Sequence, residues 1–146
     1  MSDKQNNTSS QQMLQQKRAS NAWNNVLQLE RSGYEGKYGT LVKKLPAMIL
    51  SDGLGQTLAF LRAKGKMDSN ESERELKDEA KAHRAAYRHV SNWVCGQVGA
   101  GQNADLLKWI LEHTSSDYRR AATESLAYLH WLKRFVEAKG WKSDED

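Results

Sequence analysis

The sequence predicts an all-α protein, a compact single-domain bundle of about six helices. Three observations predict this fold. Apolar residues recur at spacings of three and four along every long segment, no segment alternates as a strand does, and glycine, proline or polar runs separate the segments. A chain of 146 residues, 38% of them hydrophobic and 27% charged, is long enough to bury a core of its own.

The chain divides into three predicted regions. Residues 1–10 are polar and low in complexity, so we expect a flexible N-terminus, and residues 140–146 (GWKSDED) predict a flexible acidic tail. Residues 11–139 form the predicted helical domain. Its first helix carries an apolar face, and Gly33 and Gly36 are predicted to end it. That face consists of Ala19, Ala22, Trp23, Val26 and Leu27.

The stretch KKLPAMILSDGLGQTLAFLRAKGK, residues 43–66, predicts two short helices. Pro46 lacks an N–H and disfavours a helical residue before it, so Leu45 is predicted to be a kink or a helix start. Asp52 and Gly53 predict the end of the first of these helices, and Gly65 the end of the second. A polar loop over 65–71 should follow.

The second half of the chain predicts three more helices. Ser72 and Glu75 fit a capping box for the first of them, and Gly99 with Gly101 breaks the chain after it. Its predicted core stripe is Leu76, Ala80, His83, Tyr87, Val90 and Val94.

Two predicted caps delimit the helices that follow this break. Asn103 is predicted to cap a short helix, and Thr114 with Asp117 to cap a last helix over 115–139. The predicted core positions are Leu106, Leu107, Ile110 and Leu111 in the short helix, and Tyr118, Ala122, Ser125, Leu129, Leu132 and Val136 in the last.

Composition argues against several classes of protein. Cys95 is the only cysteine, so the chain can form neither an internal disulfide nor a cysteine-based zinc site. The start of the sequence lacks the apolar core of a signal peptide, and no apolar run approaches the ~20 residues that span a bilayer. We therefore expect a soluble cytoplasmic protein with no metal, no cofactor and no membrane partner.

Catalytic patterns are weak in this sequence. It contains no HExxH and no phosphate-binding loop, and a hydrogen-bonded core histidine is a better interpretation of His83 than a base for Cys95. Arg84 and His89 match the R-x4-H spacing of HEPN-type ribonucleases, but the two side chains diverge by about 140° on a helical wheel. We predict a non-enzymatic protein and keep the metal-independent ribonuclease as an alternative.

Positive charge is concentrated in the first half of the chain. Residues 1–66 carry ten Lys and Arg against four Asp and Glu, whereas residues 67–146 carry twelve against fourteen. Within 43–66, five bases face one acid, Asp52, which favours a surface for a polyanion. A second basic face lies on the last helix. The predicted nucleic-acid-binding residues are Lys43, Lys44, Arg62, Lys64, Lys66, Arg119, Arg120, Lys133 and Arg134.

Two further residues are candidates for a protein interface. Glu124 falls on an otherwise apolar edge and needs a partner, either within the chain, where Arg120 is four residues away, or across a subunit contact. Trp141 follows the last helix and is either part of the tail or a docking anchor.

Two blocks of sequence resemble one known family. Leu45-Pro46-x-Met48-Ile49 runs into Gly53-Leu54 and Thr57-Leu58-Ala59-Phe60-Leu61. The second block contains Tyr118-Arg119, Glu124 and Tyr128-Leu129, and leads to Trp131-Leu132-Lys133-Arg134-Phe135. Together, in this order, they resemble the small subunit of the type III-B CRISPR effector, the fifth protein of the Cmr complex. The resemblance covers roughly residues 10 to 140.

The resemblance implies a small helical protein without catalysis of its own, acting in antiviral defence. Copies of such a subunit would stack on one another and on the backbone (RAMP-superfamily) subunits, beside the large subunit. They would line the groove that holds target RNA paired to the guide RNA. Contacts to phosphate alone would suffice for this role, because base pairing with the guide carries the sequence information. A purely structural spacer subunit is a further alternative.

Overall fold

The structure is a computed structural model that describes residues 2–101 and 103–143, with side chains described from residue 9 onward. These residues form six α-helices and no strand, which confirms the predicted all-α fold. The helices are α1 (Ser2–Gln28), α2 (Glu35–Asp52), α3 (Leu54–Lys64), α4 (Asp78–Val98), α5 (Leu106–Glu112) and α6 (Ser115–Lys139), with a 3₁₀ turn at Glu73–Glu75.

Helix α4 lies at the centre of the bundle. It packs against each of the other five helices, and every residue of its predicted stripe is buried. The long helices α1, α2 and α6 also pack on one another in pairs, α1 with α6 and α2 with α6. The core is therefore shared by all the helices, as expected of a single bundle.

Three tyrosines are among the largest fully buried side chains, and each hydroxyl binds another helix or its cap. Tyr38 bonds His89 Nδ1 at 2.7 Å, Tyr128 donates to Asn21 at 2.6 Å, and Tyr87 donates to the Asp105 carboxylate at 2.5 Å. A buried hydroxyl without a partner would cost about 1–3 kcal/mol, so these bonds fix the relative positions of the helices.

The stretch around Pro46 is a single helix, so of the two roles predicted for Leu45 the helix start is wrong, and the kink stays a prediction. Helix α2 begins at Glu35 and continues through Pro46 to Asp52. Pro46 removes one backbone hydrogen bond, but both it and Leu45 are buried, and tertiary packing outweighs the local penalty. Gly36 lies inside the first turn of α2, so it does not end α1 as predicted; α1 ends at Gln28.

The predicted helix ends are partly confirmed. Gly53, Gly65 and Gly99 follow α2, α3 and α4 as expected, and Thr114 Oγ1 accepts from the Asp117 amide at the start of α6. Helix α6 has the predicted bounds of 115 and 139. Within it, Tyr118 and Ala122 are only partly buried, whereas Ala121 and Tyr128 belong to the core.

Two predicted caps are wrong. Ser72 precedes only the short 3₁₀ turn and makes no side-chain cap, while α4 starts later, after Lys77. Asp105, not Asn103, caps α5 by accepting from the Lys108 amide at 3.1 Å. In α5, Leu111 is 73% exposed although its spacing predicts burial, because a seven-residue helix buries only one narrow face.

The structure describes only part of the two terminal regions that are predicted to be flexible. Helix α1 begins at Ser2, and Trp141 packs partly buried against the core. Residues 144–146 of the acidic tail lie outside the described residues. Flexibility of residues 1–10 and 140–146 stays a prediction.

Candidate nucleic-acid interface

A basic groove lies between α2, α3 and α4. We use this name for a cavity of about 420 Å³ whose lining comes from three helices and the segment after α6. Its walls are Lys37, Thr40, Leu41, Lys44 and Met48 from α2, Phe60 and Lys64 from α3, Glu79 and His83 from α4, and Ser143.

Positive charge dominates this groove. Lys37, Lys44 and Lys64 are exposed, and none of them forms an ion pair with a described residue. Glu79 is the one acidic side chain among the described lining residues. The ammonium groups therefore face solvent with little compensation, an arrangement suited to an anionic ligand.

His83 forms the inner wall of the basic groove and is a buried, hydrogen-bonded histidine, as predicted. Its Nδ1–H donates to the carbonyl oxygen of Glu79 at 2.7 Å. Burial lowers the pKa of His83, and the positive charges of Lys64 and Lys44 act in the same direction, against the opposing effect of Glu79. His83 is therefore neutral near pH 7, and the lysines carry the positive charge of the groove.

Cys95 has different neighbours from His83. Its sulfur lies 3.9 Å from the Ser91 hydroxyl and 3.6 Å from the Ala104 carbonyl oxygen, and burial raises the pKa of the thiol. A buried thiol with a raised pKa is a poor nucleophile, so the local geometry gives no support to a thiol–histidine pair.

The predicted phosphate-binding residues of 43–66 differ in their surroundings. Lys44 and Lys64 both line the basic groove, while Lys43 is half-buried on α2. Arg62 contacts Asp68 at 2.6 Å and Asp105 at 2.7 Å, and Lys66 lies 3.7 Å from Glu71. The local count of five bases against one acid within 43–66 therefore overstates the free positive charge, because later parts of the chain supply acids.

Arg62 joins α3 to the cap of α5. Its guanidinium also donates to the Tyr87 hydroxyl at 3.3 Å, and the hydrogen bond with Asp68 raises the pKa of Arg62. The hydroxyl of Tyr87 in turn donates to Asp105, and burial raises the pKa of Tyr87 to about 12. With these partners, the guanidinium of Arg62 stabilises the fold by linking α3 to the start of α5. Contact between Arg62 and phosphate stays a prediction.

The basic residues of α6 lie elsewhere. Arg119 and Arg120 line a second cavity with Gln97 and Thr123, and Arg134 lines a third beside Gln15 and His130. Arg120 pairs with Asp117 at 2.9 Å and Arg134 with Glu137 at 3.3 Å, both on the helix surface. Lys133 is half-buried on the same helix. The nine predicted residues thus do not converge on one cavity.

Glu124 has an internal partner, but Arg120 is not that partner. Arg18 of α1 donates twice to its carboxylate, at 2.6 and 2.9 Å, and the indole N–H of Trp93 donates at 2.9 Å. The pair is mostly buried, with side-chain exposures of 11% and 13%. Glu124 therefore joins α1, α4 and α6 within one chain, and a role for it between subunits stays a prediction.

Arg84 and His89, the pair with ribonuclease spacing, occupy separate structural positions. Arg84 is buried and donates to the carbonyl oxygens of Gly65 and Lys66 at 3.0 and 2.8 Å. His89 bonds Tyr38, and burial lowers the pKa of His89 to about 4. Their local contacts hold the fold together and do not form an acid–base pair.

Lys37 lines the basic groove but is not among the residues predicted from the sequence. It lies outside the lysine-rich stretch, but it precedes Lys44 by seven residues on α2, a spacing that places two side chains on one helical face. A search for like charges seven residues apart would have identified it.

Two other kinds of site are absent from the described residues. No three His, Cys, Asp or Glu side chains come together there as a set of metal ligands. Within that part of the chain, no helix is long and apolar enough to cross a membrane.

Comparison with known proteins identifies the family. The model of a family described as CRISPR-associated protein (Cas_Cmr5) matches residues 14–139. The chain is 29% identical over 120 residues to the CRISPR system Cmr subunit Cmr5 of Thermus thermophilus, and the match covers 82% of this chain and 90% of the relative. The chain therefore belongs to the Cmr5 family of CRISPR-associated proteins, as the motifs at 45–61 and 118–135 predict.

Proposed function

We propose that this protein is a non-catalytic subunit of a type III-B CRISPR effector complex and holds target RNA through its phosphates. Membership of the Cmr5 family supports a place in a Cmr complex. The observation that carries the RNA contact is the basic groove, in which Lys37, Lys44 and Lys64 lie together without an ion-pair partner among the described residues. The proposed partners are the backbone subunits, the large subunit, further copies of this chain and the guide–target duplex.

The groove suits recognition of the phosphate backbone. Its lysines are compact cations on flexible stems, and a histidine that stays neutral near pH 7 adds no fixed charge beneath them. A few such contacts give only non-specific affinity, with a dissociation constant of roughly 10⁻⁴ to 10⁻⁶ M at physiological salt. Several copies in a row would raise the effective concentration and hold RNA firmly without further contacts per copy.

A charge-reversal experiment tests this role. In Lys44→Glu/Lys64→Glu the binding of a fluorescein-labelled single-stranded RNA should fall strongly, and the slope of log affinity against log salt should shrink by about 1.4, since each lost phosphate contact removes about 0.7. The matched control is Lys17→Glu/Lys108→Glu, which changes the net charge equally at two exposed lysines outside the groove. The control should retain most of the binding.

The outcomes separate the three candidate functions. Equal losses in both variants would mean that overall charge, not the groove, binds RNA. Folded protein that binds no RNA, alone or in the assembled complex, would favour the structural spacer. Cleavage of the RNA that disappears in His89→Ala would favour the ribonuclease, although the hydrogen bond between His89 and Tyr38 argues against it.

A further inference from the structure

The segment after α6 is held across α2 by two glycines. A Cβ atom at Gly39 would lie 2.2 Å from the carbonyl oxygen of Trp141, and one at Gly36 would lie 2.6 Å from that of Lys142. Contacts this short are possible only because both positions lack a side chain. The backbone of 141–143 therefore crosses α2 at a notch built from Gly36 and Gly39.

This crossing fixes residue 143 at the basic groove. The amide of Ser143 donates to Thr40 Oγ1 at 2.9 Å, the hydroxyls of the two residues lie 3.2 Å apart, and Ser143 lines the groove beside the lysines. The point at which the chain leaves Ser143 is thus set by hydrogen bonds and by close backbone packing.

The next three residues are all acidic: Asp144, Glu145 and Asp146. In any conformation, three residues extend at most about 10 Å from Ser143, which is close to the Debye length of about 8 Å at physiological ionic strength. Three carboxylates are therefore tethered by a short span to a residue that lines the same groove as three lysines, and these lysines lack ion pairs among the described residues.

We propose that the acidic run 144–146 competes with RNA phosphates for the lysines of the basic groove, as an autoinhibitory segment within the chain. The inference rests on the proposed function, because it assumes that the groove binds phosphate. A tethered competitor weakens every single-copy contact with stray RNA. An RNA held by several copies in a row gains enough from multivalency to displace it. The segment would thus favour RNA in the assembled complex over RNA met by a free subunit.

Neutralising the run tests the proposal at constant chain length. Asp144→Asn/Glu145→Gln/Asp146→Asn should bind labelled single-stranded RNA about two- to fivefold more tightly at about 50 mM salt, and the gain should fade at high salt. The matched control is Asp52→Asn/Glu75→Gln/Glu112→Gln, which changes net charge equally at exposed acids that form no ion pair with a described residue and lie outside the groove. The control should gain less.

A second background shows whether the gain acts through the groove. In Lys44→Gln/Lys64→Gln, neutralising the run should change RNA affinity little, since the competed lysines are absent. An unchanged gain in that background, or an equal gain in the acidic control, overturns the proposal. Either result leaves the proposed function standing if the Lys44/Lys64 variants still bind RNA more weakly than the wild type.

His83 provides a readout that needs no RNA. The charged groups that face it are Lys37, Lys44, Lys64 and Glu79, so carboxylates near these lysines should raise the pKa of His83. Neutralising the run should lower the pKa measured by NMR titration at low salt, and the acidic control should leave it unchanged. No difference between wild type and variant overturns the inference, whatever the protein does with RNA.

Discussion

The Arg18–Glu124 pair offers a quantitative test of the fold. Arg18→Met removes the guanidinium that makes two hydrogen bonds to a carboxylate with only 13% side-chain exposure. Breaking a fully buried pair from one side costs about 3–5 kcal/mol. The Trp93 N–H can still donate to Glu124 in this variant and the carboxylate is partly exposed, so we expect a loss of about 2–3 kcal/mol in the free energy of unfolding.

A double-mutant cycle isolates the interaction itself. Arg18→Met, Glu124→Gln and the double variant should be unfolded in urea and followed by circular dichroism, with a coupling energy of about 1–3 kcal/mol expected for residues in direct contact. The matched control is the cycle of Arg120→Met with Asp117→Asn, an exposed pair one helical turn apart. An exposed pair of this kind should couple by only about 0.2–0.5 kcal/mol.

The result that would refute this reasoning is specific. A third cycle, Arg120→Met with Glu124→Gln, tests the pairing that helical spacing offers. If Glu124 couples more strongly to Arg120 than to Arg18, that local pairing is correct and the link between α1 and α6 is not. If Arg18→Met costs less than about 0.5 kcal/mol, the carboxylate is hydrated or has another partner, and the pair does not stabilise the bundle.

Two further predictions concern the notch and the buried histidine. Gly39→Ala should lower the free energy of unfolding by about 1–3 kcal/mol and expose Trp141, which would be seen as a red shift of tryptophan fluorescence. Gly96→Ala is the control, because its Cβ would meet nothing within 4 Å, and it should be neutral or slightly stabilising. Equal effects of the two substitutions would contradict the notch. Because His89 has a folded-state pKa of about 4, below its ordinary value of 6.5, the unfolded chain binds the proton first. The free energy of unfolding should therefore fall by about 2 kcal/mol between about pH 7 and pH 5, and it should fall less steeply in His89→Gln. Identical slopes in the two proteins would contradict the lowered pKa of His89.

The parts of the fold that depend on local pattern were predictable from the sequence. The bounds of α6 follow from the Thr114 cap and a sustained apolar spacing, and the buried stripe of α4 follows from alternating steps of three and four. Pro46 shows where such reasoning fails. Its penalty within a helix is local, but the burial of Leu45 and Pro46 against other helices is a tertiary gain that no single segment reveals.

Pairing between distant residues accounts for the errors about charge. Helical spacing offers Arg120 as an internal partner for Glu124 because the two are four residues apart, yet the partner in the structure, Arg18, is 106 residues away in the sequence. Arg62 and Asp105 are 43 residues apart, so a count within 43–66 could not find the acid. Spacing along one helix identifies neighbours only on that helix.

The same distinction decides which part of the basic surface suits RNA. A local excess of lysine and arginine indicates a polyanion partner only after the ion pairs formed by folding have been subtracted. Of the five bases in 43–66, Arg62 and Lys66 contact acids at 68, 71 and 105. Lys44 and Lys64 form no ion pair with any residue that the structure describes, and they share a groove with Lys37. The acidic residues 144–146 follow a residue that lines this groove, and they are the proposed competitor for the charge left after this subtraction. The affinity of the groove for RNA should therefore be measured with residues 144–146 both charged and neutralised.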